Sequence, residues 1–588
     1  MELQGNDFSG PIPPEFGNLR RLQVMSAANN AGLTGPLPAE LTQLKALRRL
    51  LLGGTELCAP TNPQFLAWLR GVGATFVRRC VIAAGSDAYL TQAVQSREYP
   101  VPLIAGDSAL LRVFVVSEEA ADAGVAIPPA RATFYRGDSE VYAVDLPGTG
   151  TTVPASVDES DLDLSLNAII PGSVLQPGVA MVVEIDPEGT LDPDLGVTTR
   201  LPGQGETSLE LVGVPTYELT LITFLWTEQP DSALLAKVNG ITPDSPLLWA
   251  TREFLPVHGV DVVHHDPIWL DEQPSAGNMI AIIWATFAAK EAEGGRGHWV
   301  GVWSGCCGVA SYELQAAGVG LEPEGADHFW QNNNVLAHEL GHLMTLPHAP
   351  CNVGDPDLNF PYPKGNIGSW GFDMRARELR APDSPEVMSY CGERTKWISG
   401  FYHSQALGWR LRDDGSQARQ VDQRAARVRS LMVWGGVQPD GELQLEPAFV
   451  LDAVPTHHID PGPYRLTAHD DRGRELFSYS LGMGSLDHGG GAAFALMIPV
   501  QPEWETTLDR IKLVGPEGRT EVSREGATAS ILLTDPRTGQ LRGFLRRRPD
   551  IALAASVGHY EVLRALLPEP GLVVHVSRGI PAPPDWRR

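Results

Sequence analysis

Apolar positions recur along this chain with more than one period, and each period predicts a different architecture. From Phe8, FSGPIPPEFGNLRRLQVM aligns with LTGPLPAELTQLKALRRL from Leu33, so that Phe8/Leu33, Ile12/Leu37, Phe16/Leu41, Leu19/Leu44 and Leu22/Leu47 superpose at a step of 25 residues. Such a unit cannot bury its apolar ridge alone and must stack on its neighbour, which predicts a short solenoid. From about Val81 to Leu225, the runs VPLIAGDSALLRVFVV, RATFYRGDSEVYAVDL, VAMVVEID, TSLELVGV and YELTLITFLW are separated by turn residues. Period-two alternation with Val, Thr and Tyr enrichment, and no sustained helical pattern, predicts an antiparallel β-sandwich. Near Ser245 helix and strand begin to alternate. SPLLWATREFLPV reads as helix, VDVVHHD as strand, GNMIAIIWATFAAKEAEG as strand or helix, HWVGVWSG as strand and FWQNNNVLAHELGHLMTL as helix, which together describe an α/β unit. Beyond about Arg427, PDGELQLEPAFVLD, GPYRLTAHDDRGRELFSYSL, RIKLVGPEGRTEV and ASILLTDPRTGQLRGFL alternate around Asp-Gly, Arg-Gly, Glu-Gly and Thr-Gly turns. This predicts a second sandwich, to which GLVVHVSRGIP adds one more strand. The expected class is multidomain α+β: a repeat segment over 1–80, a β-sandwich over 81–225, an α/β core over 226–415 and a C-terminal β-sandwich over 425–588.

At 588 residues the chain is too long for one hydrophobic core, and 61 Gly with 48 Pro favour turns and loops over long helices. The formal charge of −26 sets up a field that repels phosphate backbones, and no Lys/Arg-rich run offsets it, so nucleic acid is excluded as a partner. No apolar run reaches the roughly 18 residues of a membrane-spanning helix, and MELQGNDFSG lacks a basic-then-apolar export pattern. Met1 falls inside a repeat rather than before a capping unit, which predicts missing upstream sequence and, with it, a lost signal peptide. Six cysteines, Cys58, Cys80, Cys306, Cys307, Cys351 and Cys391, are even in number and locally grouped. They read either as disulfides formed in an oxidising compartment or as reduced buried thiols. Oligomeric state leaves no mark in the sequence.

Chemistry concentrates in NNNVLAHELGHLMTLPHAPC, Asn332 to Cys351. On a helix His338 and His342 leave the same face one turn apart, which suits one metal ion, while Glu339 projects about 100° away, free to act on a water. Chance produces HExxH in long chains, but a third histidine, His348, at a fixed offset is poorly explained that way. Three neutral imidazoles leave a fourth tetrahedral position open. Zinc in such a site brings the pKa of water towards about 7, and Glu339 would take its proton as it attacks a carbonyl. His258, His264 and His265 lack metal-ligand spacing to the motif and read as structural or surface groups. Asp355 and Asp357 are candidates for calcium, and NFPYPKGNIGSWGFD for a cleft wall.

Two resemblances extend this reading. GPIPPEFGNLRRL resembles plant-type leucine-rich repeats, and LCAPTNPQFLAWLRGVGATFVRRC resembles their C-terminal cap, which implies closure by Cys58 and Cys80. The motif resembles that of the metzincin zinc endopeptidases, HExxHxxGxxH followed by a methionine-containing turn, here SPEVMSYCG. The resemblance implies His338, His342 and His348 as zinc ligands, Glu339 as general base, Met388 as the residue beneath the metal, and Tyr390 as a phenol that stabilises the oxyanion. The stretch from His348 to Leu407 is also similar to secreted bacterial metzincins related to mucin-cleaving metalloproteases, a resemblance that spans roughly Leu225 to Arg410. That implies a secreted or surface location, a protein or glycoprotein substrate, and a Cys351–Cys391 bridge, with Cys306 and Cys307 as a vicinal pair or as its competitors. The chain departs from the motif at Thr345, where the family has glycine at positive φ. A β-branched residue there costs about 1–2 kcal/mol or more, and Pro347 disfavours helix at Leu346, so the helix is expected to end by another route. The rival readings are an adhesion or binding protein whose metal site is structural or inactive, and a zinc amidase acting on something other than protein.

Overall fold

Stacking of the 25-residue unit is visible in the register of its strands. In the computed structural model, which describes residues 1–60, 62–72, 74–80, 85–322, 326–392, 396–412, 426–487, 490–524, 529–556, 562, 565–581 and 586, Val24 pairs with Arg49 and Arg49 with Ala74, all in parallel. The boundaries read from the sequence at 81, 415 and 425 lie outside the described residues. The chain forms two compact units, one of Met1–Thr216, Trp249–Gly259 and Thr345–Arg412, the other of Tyr217–Leu248, Val260–Met344 and Asp413–Arg588.

In the first unit the repeats build two narrow parallel sheets over a core that includes Ile12, Leu33, Leu37, Leu41, Leu44 and Leu47. Cys58 and Cys80 form a disulfide behind them. Two antiparallel sheets follow, one of Asp87–Thr91, Ala109–Phe114 and Leu166–Ile170, the other centred on Ala130–Arg136 between Ser139–Leu146 and Val179–Ile185. They close on a shared core with Leu111, Val113, Phe134 and Val183.

The second unit is organised by an eight-stranded sheet. Its strands are β1 (Tyr217–Trp226), β2 (Val260–Leu270), β3 (His298–Ser304), β4 (Gly308–Ser311), β5 (Ala316–Leu321), β6 (Ser530–Thr534), β7 (Leu541–Leu545) and β8 (Val573–Ser577), in the order β4-β5-β3-β1-β2-β7-β6-β8. The neighbours from β5 to β7 run parallel; β4, β6 and β8 are antiparallel additions. Helix α1 (Met279–Glu293) joins β2 to β3 and is apolar nearly all round. It shares a core with the sheet through Phe224 and Trp303, and with Met432, Ala495 and Met497 of a further antiparallel sheet built on Val428–Val437 and Ala492–Pro499. Helix α2 (Ala326–Leu343) follows β5.

Two expectations from the pattern are corrected. YELTLITFLW is not a strand of the first sandwich but β1, near the centre of the core sheet. Its side chains are buried on both faces, the signature of an interior parallel strand, which alternation cannot reveal. Likewise ASILLTDPRTGQLRGFL and VVHVS form β6, β7 and β8 of the same sheet rather than extending the C-terminal sandwich. Alternating burial is absent there too: in β7 all five residues are buried.

Candidate metal centre

Helix α2 owes its position to a stripe of Leu336, Leu340 and Leu343 and to Ala337, all buried. At its C-terminal end Met344 N–H donates to the carbonyls of Leu340 and Gly341, and Gln315 Nε2 donates to the Leu343 carbonyl at 3.0 Å. His338, Glu339 and His342 are nevertheless buried as well, because the opposite side of the helix is also covered. The edge strand β4 approaches so closely at Gly308 that a Cβ there would collide with the Glu339 carboxylate. The β4–β5 turn is held by Lys290 Nζ, which donates to the carbonyls of Leu314 and Gln315, each at 3.0 Å.

The expected alternative exit from the helix is not taken. Thr345 itself adopts φ +67°, the left-handed conformation for which glycine is suited, so the backbone path is kept and the β-branched residue carries the strain. Its side chain points to solvent. The turn delivers His348, whose Nε2 lies 3.3 Å from the Tyr390 hydroxyl and whose Nδ1 lies 3.4 Å from Asp355 Oδ1. Ala349 N–H donates to the Met388 carbonyl, Tyr390 N–H donates to the Cys351 carbonyl, and the Cys351–Cys391 disulfide ties the two strands of this arrangement together. Met388 is fully buried, while Tyr390 is 42 % exposed.

Within the continuous run His338–His348, the ligating nitrogens of the three histidines lie within 4.8 Å of one another. His338 Nε2 and His342 Nε2 are 3.0 Å apart. Two nitrogens each about 2.0–2.1 Å from a tetrahedral zinc stand about 3.3 Å apart, so the donor set fits the ion in type and in spacing. A second group joins this one at His342: Asp487 Oδ2 lies 2.9 Å from its Nε2, and Glu339, His342 and Asp487 also offer atoms within 4.8 Å of one another.

Other candidates fall elsewhere. Cys306 and Cys307 are free thiols, not a vicinal bridge, and burial, then its neighbour Cys306, pushes the Cys307 thiol up to about 12. Asp357 accepts from Asn359 N–H and from the Tyr402 hydroxyl, and neither it nor Asp355 belongs to a metal-holding group among the described residues, so the calcium reading gains no support. His258 pairs with Asp107 at 2.7 Å and buried His265 with Glu293 at 3.0 Å, both structural contacts. Sequence reasoning missed Gly308 and Asp487. Gly308 follows the cysteine pair with no motif around it, and Asp487 sits in a glycine-rich turn far along the chain, so only tertiary contact could reveal either.

Residues 309–425 match the family model Peptidase M66, a zinc metallopeptidase family. The matched span contains His338, Glu339, His342, His348, Met388 and Tyr390. A comparison with curated proteins finds no match. The similarity and the buried histidine cluster together support a peptidase that holds a metal ion.

Proposed function

We propose that this chain is a zinc endopeptidase of the metzincin type, acting outside the cell on proteins or glycoproteins, and that its N-terminal repeats are a leucine-rich-repeat segment. The observation that carries the reading is the buried set of three histidines with Glu339 beside them, inside the span similar to Peptidase M66. Two disulfides favour an oxidising location, and among the described residues no helix is long and apolar enough to cross a membrane.

In this reading His338, His342 and His348 would hold the ion, which when bound would supply an acidified water and polarisation of the scissile carbonyl. Glu339, 2 % exposed and adjacent to both helix histidines, takes the proton of the attacking water and returns it to the departing amine. The Tyr390 phenol, half in solvent beside His348, donates to the carbonyl oxygen as negative charge grows there, an interaction stronger in the transition state than before it. The test is zinc analysis combined with peptide-library digestion of the parent and of Glu339→Gln. Retained zinc with cleavage reduced about 10²–10⁴-fold is expected; undiminished cleavage by the variant, or a parent that binds no zinc, sinks the reading.

A further inference from the structure

The parallel register of the repeats sets Ser26, Leu51 and Phe76 in one row. Alternation turns this row away from the repeat core, which takes Met25 and Leu50 instead, so a solenoid standing alone would leave it in water. All three residues are nevertheless buried. The cover includes residues 357–361 and the helix Gly400–Arg412, which belong to the same compact unit. Ser26 Oγ donates to Asn359 Oδ1 at 2.6 Å, and Asn29 Nδ2 donates to the carbonyls of Leu358 at 3.0 Å and Phe360 at 2.9 Å. Asn29 holds φ +57°, a left-handed conformation that asparagine tolerates. In the next repeat Gly53 lies so close to Pro361 that a Cβ would collide with the proline ring, and Phe76 meets Phe401 edge-on with ring centroids 5.5 Å apart.

Hydrogen bonds inside the covering segment carry this grip to the third histidine. Asn359, held by Ser26, donates to Asp357 Oδ1 from its N–H at 2.9 Å and from Nδ2 at 3.1 Å. Asp357 N–H in turn donates to the His348 carbonyl at 2.8 Å. Buried Phe360 packs on Tyr402 with ring centroids 4.8 Å apart and closes the turn through its N–H, which donates to the Asp357 carbonyl. The His348 imidazole therefore leaves a backbone tied on one side to Met388, through Ala349, and on the other to the repeats. We propose that the N-terminal repeats are an internal brace of the metal centre, with Ser26 and Asn29 as positioning residues that hold the 357–361 segment and, through Asp357, the backbone of His348. The face that stacked repeats commonly offer to a partner is here occupied by the chain itself, which counts against a free adhesion module. Without these contacts His348 loses its fixed approach to the ion, whereas His338 and His342 are related by helix geometry alone.

The inference rests on the proposed role of His348 as a metal ligand, and its test separates the two. Asn29→Asp is isosteric and keeps a residue that tolerates the left-handed backbone, but it turns a carboxylate towards two carbonyls in place of the amide donor. Ser26→Ala removes the hydroxyl, and Leu41→Val alters the repeat core alone. Amide exchange of peptides spanning His348–Tyr362 is measured in the whole metal-free chain, and zinc affinity by chelator competition. Exchange about tenfold faster and zinc bound about tenfold more weakly are expected in the first two variants, with Leu41→Val close to the parent in both. Unchanged exchange in Asn29→Asp and Ser26→Ala overturns the brace. Faster exchange with zinc affinity equal to the parent's overturns its reach to His348. An equal effect of Leu41→Val overturns positioning by these two residues, because any softening of the repeats would then suffice. A parent chain that binds no zinc fails the proposed function, and the exchange comparison still decides whether the repeats hold the segment.

Discussion

Thr345 holds a backbone conformation that its side chain resists, and removing the conflict should tighten the turn that carries His348. A β-branched residue at φ +67° carries about 1–2 kcal/mol of strain relative to a residue suited to the left-handed region. The side chain is exposed, so its removal forfeits no packing. Thr345→Gly recovers that strain but frees the unfolded chain by about 0.5–1 kcal/mol, leaving a net gain of about 0.5–1 kcal/mol. Thr345→Asn, which tolerates positive φ without glycine's freedom, should gain about 1 kcal/mol. Thr345→Val keeps the strain and should change little. Because the chain forms two units, a single global unfolding midpoint is a poor reporter. Amide exchange of peptides spanning Thr345–Cys351 in the metal-free protein reads local opening instead. About 1 kcal/mol slows exchange about fivefold, giving the order Asn, then Gly, then Thr and Val together. Exchange slowed as much by Val as by Asn, or accelerated by both Gly and Asn, refutes the assignment of strain to this residue.

Burial pushes the Glu386 carboxyl up to about 8, against the pull of the Ser399 N–H it accepts at 2.6 Å. The folded chain thus keeps a proton that the unfolded chain releases above about pH 4.5, and stability should fall as pH rises from there towards 8. Glu386→Gln, uncharged and still an acceptor, should flatten that slope in denaturation measured from about pH 5 to 8; parallel slopes for the two proteins would count against a neutral Glu386. The Cys351–Cys391 bridge closes a 40-residue loop between the third histidine and Tyr390, worth about 4 kcal/mol by loop entropy. A Cys351→Ser, Cys391→Ser double variant, which avoids thiol reagents that strip zinc, should lose protease resistance in this loop and bind zinc more weakly. Zinc affinity equal to the parent's would mean that the bridge does not organise the site.

The helix-borne part of the site was legible because its chemistry is local. His338, Glu339 and His342 are related by helix geometry alone, and His348 by a short tether. The two bridges also emerged, since their partners flank elements that the motifs already related. What stayed hidden depends on contacts between distant segments. β1, β6 and β7 read as sandwich strands because runs buried on both faces differ little in sequence from alternating ones, and burial is decided by neighbours the sequence does not name. The path at Thr345 departs from the local pattern for a related reason: local propensity opposes positive φ for a β-branched residue, and the tertiary fixings on either side, the Gln315 cap and the Ala349–Met388 hydrogen bond, override it. Asp487 was invisible because nothing local marks a carboxylate as aimed at a distant imidazole.

The core sheet begins at Tyr217 and is not complete until Ser577 takes its place beside β6. During synthesis, therefore, the histidine helix emerges long before the strands that finish the sheet beneath it. A ribosome-bound chain that has just released the motif lacks a finished core sheet, which arrives only after synthesis has moved far beyond it. A fragment cut to residues 309–425 would inherit the motif with only β4 in part and β5 of the eight strands.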